Sequence, residues 1–140
     1  MYYQTDPKLN PIRKWGCYFL CLLRMAEKEL NIFISYENVF DIFHNVIILK
    51  YMTHTCFVEK PAEIINYVFK MYNSPKKCFY IGHKRNGVAE FWGDYTEKDV
   101  TRKIDSLKTK YGYHFIFEDY NPAPKAEKLE DVGDRYFKII

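Results

Sequence analysis

GCYFLCLLRMAEKEL, residues 16–30, is the stretch that decides the fold. It predicts a helix that begins after Gly16 and is apolar on every side over its first two turns. A helix of this kind lies inside a domain rather than on its surface, so we expect its start to be buried or at the floor of a cleft. The apolar run from Cys17 to Leu23 is too short to span a bilayer.

Two more helices are predicted downstream of this buried one. Ser35 can cap a helix that continues to about His44, because its hydroxyl can accept a backbone N–H of the first turn. Pro61 suits the first turn of a third helix, which Asn73-Ser74-Pro75 would close. Residues 46–58 between them fit either a helix or a strand.

The second half of the chain is rich in β-forming residues. Asn86-Gly87 separates CFYIGH, residues 78–83, from VAEFW, residues 88–92, and this arrangement is typical of a hairpin. YHFIFEDY, residues 113–120, predicts a strand. YFKII, residues 136–140, predicts an edge strand.

Between these β segments, the sequence favours one more helix. Thr96 and Asp99 have the spacing of a capping box, which predicts a helix to about Lys110. Helices first and a small, mostly antiparallel sheet second indicate an α+β fold. No linker or repeat divides the chain, so residues 1–140 are predicted to form one domain.

Composition narrows the classes of function. The net charge is +3, and basic residues alternate with acids along the chain, so a nucleic-acid partner is left open but is not indicated. The sequence contains no phosphate-binding glycine loop and no metal-ligand spacing, so we expect neither a cofactor nor a metal. No export signal is present, which predicts a cytoplasmic protein with free thiols. Nothing in the sequence indicates the oligomeric state.

Cys17 is the best candidate for a chemical role. A nucleophilic thiol needs a lowered pKa and a nearby base. The N-terminus of a helix favours thiolate, so the position after Gly16 is expected to lower the pKa of Cys17. Of the four histidines, only His114 lies inside a predicted core strand. His114 is therefore the candidate base.

The group that would orient His114 depends on a turn. If Glu118-Asp119 forms a two-residue turn, Phe117 pairs with Tyr120. His114 and Asn121 then become diagonal neighbours on one face, within side-chain reach. Asn121 is the predicted third member of the site on that condition.

Three stretches together resemble the landmarks of small papain-like cysteine peptidases: Gln4-Thr5-Asp6, Trp15-Gly16-Cys17 and Gly112-Tyr113-His114-Phe115. The resemblance is closest to the branch that cleaves after double-glycine leaders and, more narrowly, to a little-characterised family of spirochaete plasmids and phages. It implies a papain-like fold over the whole chain. It also implies Cys17 as nucleophile, His114 as general base, Gln4 as oxyanion donor and Asn121 as the residue that orients the base.

Three hypotheses for function follow. The first is a thiol hydrolase that acts on a peptide or a related amide or thioester. No membrane partner is expected. The second is a catalytically silent protein of the same fold that binds a peptide or protein, such as a phage-encoded inhibitor of a host system. The bulky Tyr18 and the long spacing from Gln4 to Cys17 motivate it. The third is a nucleic-acid-binding module that uses the aromatic and basic residues at 76–80 and 84–85.

Overall fold

The computed structural model describes residues 9, 12, 16–110, 112–122 and 130–140. This part of the chain has an α+β fold in which three helices precede a five-stranded antiparallel sheet. The helices are α1 (Cys17–Leu30), α2 (Tyr36–Ile48) and α3 (Pro61–Met71), and the strands are β1 (Cys78–Arg85), β2 (Val88–Phe91), β3 (Arg102–Thr109), β4 (Gly112–Ile116) and β5 (Glu130–Ile139). None of the described helices is both long and apolar enough to cross a bilayer.

Helix α1 is the centre of the core, as its sequence predicts. Phe19, Leu20 and Leu22 are completely buried, although they point in different directions around the helix. The helix ends at Asn31, whose left-handed backbone (φ 51°) lets its N–H bond to the last turn. The all-round burial agrees with the expectation that the beginning of α1 lies inside the domain.

The starts of the other two helices are also confirmed. The Ser35 hydroxyl accepts the Asn38 N–H at 3.2 Å, and Pro61 occupies the first turn of α3. Helix α2 continues past the predicted end at His44 because Val46 still packs in the core. The β1–β2 hairpin turns at Asn86-Gly87, where both residues have positive φ, as a tight hairpin requires.

The predicted helix to Lys110 is wrong. The capping box of Thr96 and Asp99 is present, but it begins only a single 3-10 turn, Glu97–Asp99. The chain then forms β3, in which Ile104 and Ser106 alternate into the interior. Pairing with strands on both sides satisfies the β3 backbone and overrides the local helical preference.

The prediction of an edge strand at residues 136–140 is also wrong. The strand order is β2-β1-β5-β3-β4, so β5 is the central strand, while β2 and β4 form the edges. Phe137 and Ile139 of β5 belong to the core that the helices cover. A central strand needs partners from both neighbours, and these come from distant parts of the sequence.

The other face of the sheet contains a carboxyl pair. Asp105 on β3 lies directly across from Asp134 on β5, and Lys103 lies beside both. Burial, together with Asp105, raises the pKa of Asp134 to about 6. A raised pKa in the folded state means that this group stabilises the fold below about pH 4. That contribution is lost as the pH rises to about 6.

We therefore expect Asp134→Asn to stabilise the protein by about 1 kcal/mol at pH 7, because the amide avoids the cost of ionisation. Urea unfolding at pH 4, 5, 6 and 7 measures this gain, which should shrink towards pH 4. Asp41→Asn on the exposed side of α2 is the control for the change in net charge. A variant less stable than the native protein at pH 7 would show that Lys103 outweighs the carboxyl repulsion.

Candidate active site

Cys17 begins α1, and Gly16 makes its position possible. The Gly16 backbone has φ −92°, which any residue can adopt, so its conformation does not require glycine. The lack of space requires glycine, because a Cβ at this position would lie 2.5 Å from Ile12 Cγ2 and 2.6 Å from the Ile12 carbonyl oxygen. The Gly16 N–H donates to that same oxygen at 2.8 Å. A close turn before the helix thus fixes where the thiol emerges.

The thiol faces the outer backbone edge of β4. The Cys17 thiol is 3.9 Å from the Tyr113 carbonyl oxygen, the residue that immediately precedes His114. One helical turn further in, the Cys21 thiol donates to the Phe115 carbonyl at 3.4 Å and is fully buried. Helix α1 therefore runs alongside the edge strand, and its first residue meets the strand at Tyr113, one residue before His114.

The pKa of Cys17 is raised, contrary to the expectation from the helix terminus. Burial is the largest cause. Backbone N–H groups of Phe115, Tyr18 and Cys17 itself lower the pKa, but by less than burial raises it. Partly covered thiols next to apolar walls favour the neutral form, because the low dielectric penalises the thiolate. At neutral pH, Cys17 is therefore a thiol at rest.

His114 is anchored through one ring nitrogen. Its Nε2 lies 2.8 Å from the Asn121 carbonyl oxygen. A carbonyl can only accept, so this contact places a hydrogen on Nε2 and leaves the lone pair of Nδ1 available as a base. The thiol and the imidazole do not share a hydrogen bond. Because Phe115 packs on the helix-bearing side of β4, alternation directs the His114 side chain towards the opposite side.

The turn that was expected to bring Asn121 to His114 is confirmed. Phe117 and Tyr120 pair across Glu118-Asp119, and the Tyr120 N–H donates to the Phe117 carbonyl at 2.9 Å. Asn121 meets the imidazole through its backbone carbonyl, while its side-chain amide donates to the Phe115 carbonyl at 2.9 Å. Gln4, the fourth predicted site residue, lies outside the described residues.

A cavity of about 350 Å³ opens in front of Cys17. Tyr18 and Phe115 form one wall, with their rings stacked 4.5 Å apart. The Arg135 guanidinium lies over both rings, 5.0 Å from the centre of Tyr18 and 4.7 Å from that of Phe115. The cavity thus combines apolar walls, a thiol and a cation.

Arg135 also connects this cavity to a second, more polar one of about 450 Å³. Tyr80, Tyr113 and Arg135 line both cavities. The sequence analysis missed Arg135, because a single arginine in a predicted strand has no distinguishing motif. Among the described residues, no group of three or more His, Cys, Asp or Glu side chains is arranged to hold a metal ion.

The family model described as "Protein of unknown function, DUF261" matches residues 2–122. The chain belongs to the DUF261 family. The DUF261 match includes Cys17, His114 and Asn121, whereas β5 with Arg135 lies beyond its end. No curated protein and no solved structure matches the chain.

Proposed function

We propose that this DUF261 protein is a thiol hydrolase with a papain-like arrangement, acting on a peptide or a related amide or thioester. Cys17 is the nucleophile and His114 the general base. The observation that supports the proposal best is the contact of the Cys17 sulfur with the carbonyl of Tyr113, next to His114 and at the mouth of a cavity. The helix start thereby lies against the backbone of the strand that carries His114, while the imidazole itself lies on the opposite side of β4.

The raised pKa of Cys17 decides the order of the proton transfer. The thiol is protonated at rest, so its proton has to leave during the attack rather than before it. The acceptor is Nδ1 of His114, because the contact with the Asn121 carbonyl places the hydrogen on Nε2. Catalysis requires the imidazole to leave that contact and to rotate about its side-chain bonds towards the outer edge of β4. Contacts of this type are often long before the substrate binds.

The reaction then follows from these groups. The Cys17 sulfur bonds to the substrate carbonyl carbon as Nδ1 of His114 takes the thiol proton. The leaving amine or thiolate departs with that proton, and water, deprotonated by the same imidazole, releases the acid and restores the thiol. The backbone N–H of Cys17 at the helix start supplies a hydrogen bond to the oxyanion, and the resemblance to papain-like peptidases assigns a second one to the Gln4 amide.

Labelling by iodoacetamide tests whether His114 acts as the base for Cys17. We expect Cys17 to be alkylated ahead of the other three cysteines, because burial raises the pKa of Cys56 to about 11 and that of Cys78 to about 12, and Cys21 is fully covered. His114→Ala should slow the labelling of Cys17 on the order of 10- to 100-fold, since it removes the base. Peptide mapping by mass spectrometry gives the rate at each cysteine.

His44→Ala is the matched control, because His44 is exposed on α2, a helix that does not line the cavity in front of Cys17. It should leave the rate at Cys17 unchanged. Equal labelling of Cys17 in the native protein and in His114→Ala would remove the case for a general base. Screening a mixture of blocked peptides with the native protein and Cys17→Ser then identifies products that depend on the thiol.

A second candidate is a catalytically silent protein that binds a peptide in the same cleft. The stacking of Tyr18 on Phe115 supports it, because a bulky ring next to the thiol narrows the approach to Cys17. The raised pKa of the thiol supports it too. In that case, Cys17→Ser would bind its partner as tightly as the native protein and no peptide would be cleaved by either.

A further inference from the structure

The polar cavity beside the Cys17 cleft is rich in positive charge. Among the described residues that line it, Lys84, Arg85 and Arg135 are basic and only Asp134 is acidic. The Asp134 carboxylate is itself within reach of Lys103, 3.9 Å away, on the other side of the sheet. The lining of the cavity therefore favours an anion.

Arg135 occupies the junction of the two cavities. Its guanidinium is held over the faces of Tyr18 and Phe115 rather than by an acid. Within the described ranges, Arg135 forms no ion pair with a carboxylate. A cation stacked on aromatic rings keeps its N–H donors free for a ligand, and the planar fork of arginine matches a carboxylate.

Two small residues, Gly133 and Ser106, lie among those that line the polar cavity. The Ser106 hydroxyl is occupied by the Gly133 carbonyl, to which it donates at 3.1 Å. The volume in front of Arg135 is consequently open to a side chain or a chain end of a ligand.

We propose that Arg135 binds a carboxylate of the peptide that occupies the Cys17 cleft, with Lys84 and Arg85 adding to the attraction. This inference rests on the proposed function, since it names the substrate class of that same site as acidic peptides. The carboxylate belongs either to an Asp or Glu side chain or to the C-terminus of the peptide. The apolar wall of Tyr18 and Phe115 receives the neighbouring part of the chain.

Two alkylating reagents of similar size test the charge preference. Iodoacetate has a carboxylate, and iodoacetamide has none. The ratio of their rates at Cys17 should fall about 5- to 10-fold in Arg135→Gln, whereas Arg135→Lys should keep part of the preference. Lys70→Gln on the exposed side of α3 removes the same charge far from the cavity and should leave the ratio unchanged. An unchanged ratio in Arg135→Gln overturns the proposal.

Peptide binding tests the ligand without any chemistry. Cys17→Ser is titrated with blocked peptides that differ only in Glu or Gln, and with a Gln peptide that has a free C-terminal carboxylate. Tighter binding of the Glu peptide assigns the carboxylate to a side chain, and tighter binding of the free acid assigns it to the C-terminus. Either preference should disappear in the double variant with Arg135→Gln and weaken in 0.5 M salt.

The outcomes separate this inference from the hydrolase proposal. Carboxylate preference without any cleavage supports the inference and removes the hydrolase. Cleavage without a carboxylate preference supports the hydrolase and overturns the inference. Equal binding of the Glu, Gln and free-acid peptides, or binding of none of them, overturns the inference, as does Arg135-dependent binding of inorganic phosphate or an oligonucleotide in place of these peptides. Lys84→Gln with Arg85→Gln provides a second test if Arg135→Gln does not fold.

Discussion

Gly133→Ala is expected to destabilise the protein by about 4 kcal/mol or more, a large part of the free energy of unfolding of a typical domain. Gly133 has φ 147°, a conformation that residues with a side chain rarely adopt. A Cβ there would also lie 2.0 Å from the Lys84 carbonyl oxygen and 3.2 Å from the Lys84 carbonyl carbon. These are backbone atoms of the paired strand β1, so they cannot move without breaking the ladder. Urea unfolding followed by circular dichroism measures the loss.

Gly93→Ala separates the two causes of this loss. Gly93 has φ 58°, but a Cβ there would meet nothing within 4 Å. Its replacement should therefore cost only about 1 kcal/mol, the usual penalty for a left-handed residue. Similar costs at the two positions would mean that the crowding in the centre of the sheet is relieved by a shift of β1 or β5.

The position of Gly133 also explains why the sheet was only partly predictable. Local patterns identify α1, the Ser35 cap, Pro61 and the Asn86-Gly87 turn, because each of these depends on neighbours in sequence. The central place of β5 depends on β1 and β3, whose sequences are distant from it. No local feature of YFKII distinguishes a central strand from an edge strand.

Strand β3 is a second element whose structure the local sequence does not determine. Val100, Ile104 and Leu107 have helical spacing, yet Ile104 and Ser106 also have the alternation of a strand. Both patterns fit the same residues, and the capping box favours the helix. Pairing with β4 and β5 decides for the strand, and that pairing is a property of the whole sheet.

The candidate site was also predictable only in those features that depend on neighbours in sequence. The helix start at Cys17 and the turn at Glu118-Asp119 follow from local sequence. The direction of the Cys17 pKa shift does not follow from local sequence, because burial depends on which parts of the fold surround the thiol. The use of the Asn121 carbonyl instead of its side chain depends on the positive φ of that residue, 59°, which the sequence pattern does not show.

Glu27 connects α1 to the segment before α2, and its burial makes it a strong test of how α1 is held. Its side chain is 1% exposed. One carboxylate oxygen accepts the N–H of Ile34 at 2.8 Å, and the other forms an ion pair with Arg24. Ile34 is completely buried, so water cannot replace the carboxylate at that N–H.

Glu27→Ala is therefore expected to destabilise the protein by about 3 kcal/mol, because a buried N–H and a partly buried arginine both lose their acceptor. Glu27→Gln keeps an acceptor for Ile34 and should cost about 1 kcal/mol. Urea unfolding of both variants measures the difference. The rate of Cys17 labelling in the folded molecules should stay unchanged, because Glu27 lies towards the opposite end of α1. Equal losses in the two variants would mean that the ion pair with Arg24, rather than the hydrogen bond to Ile34, holds this end of the helix.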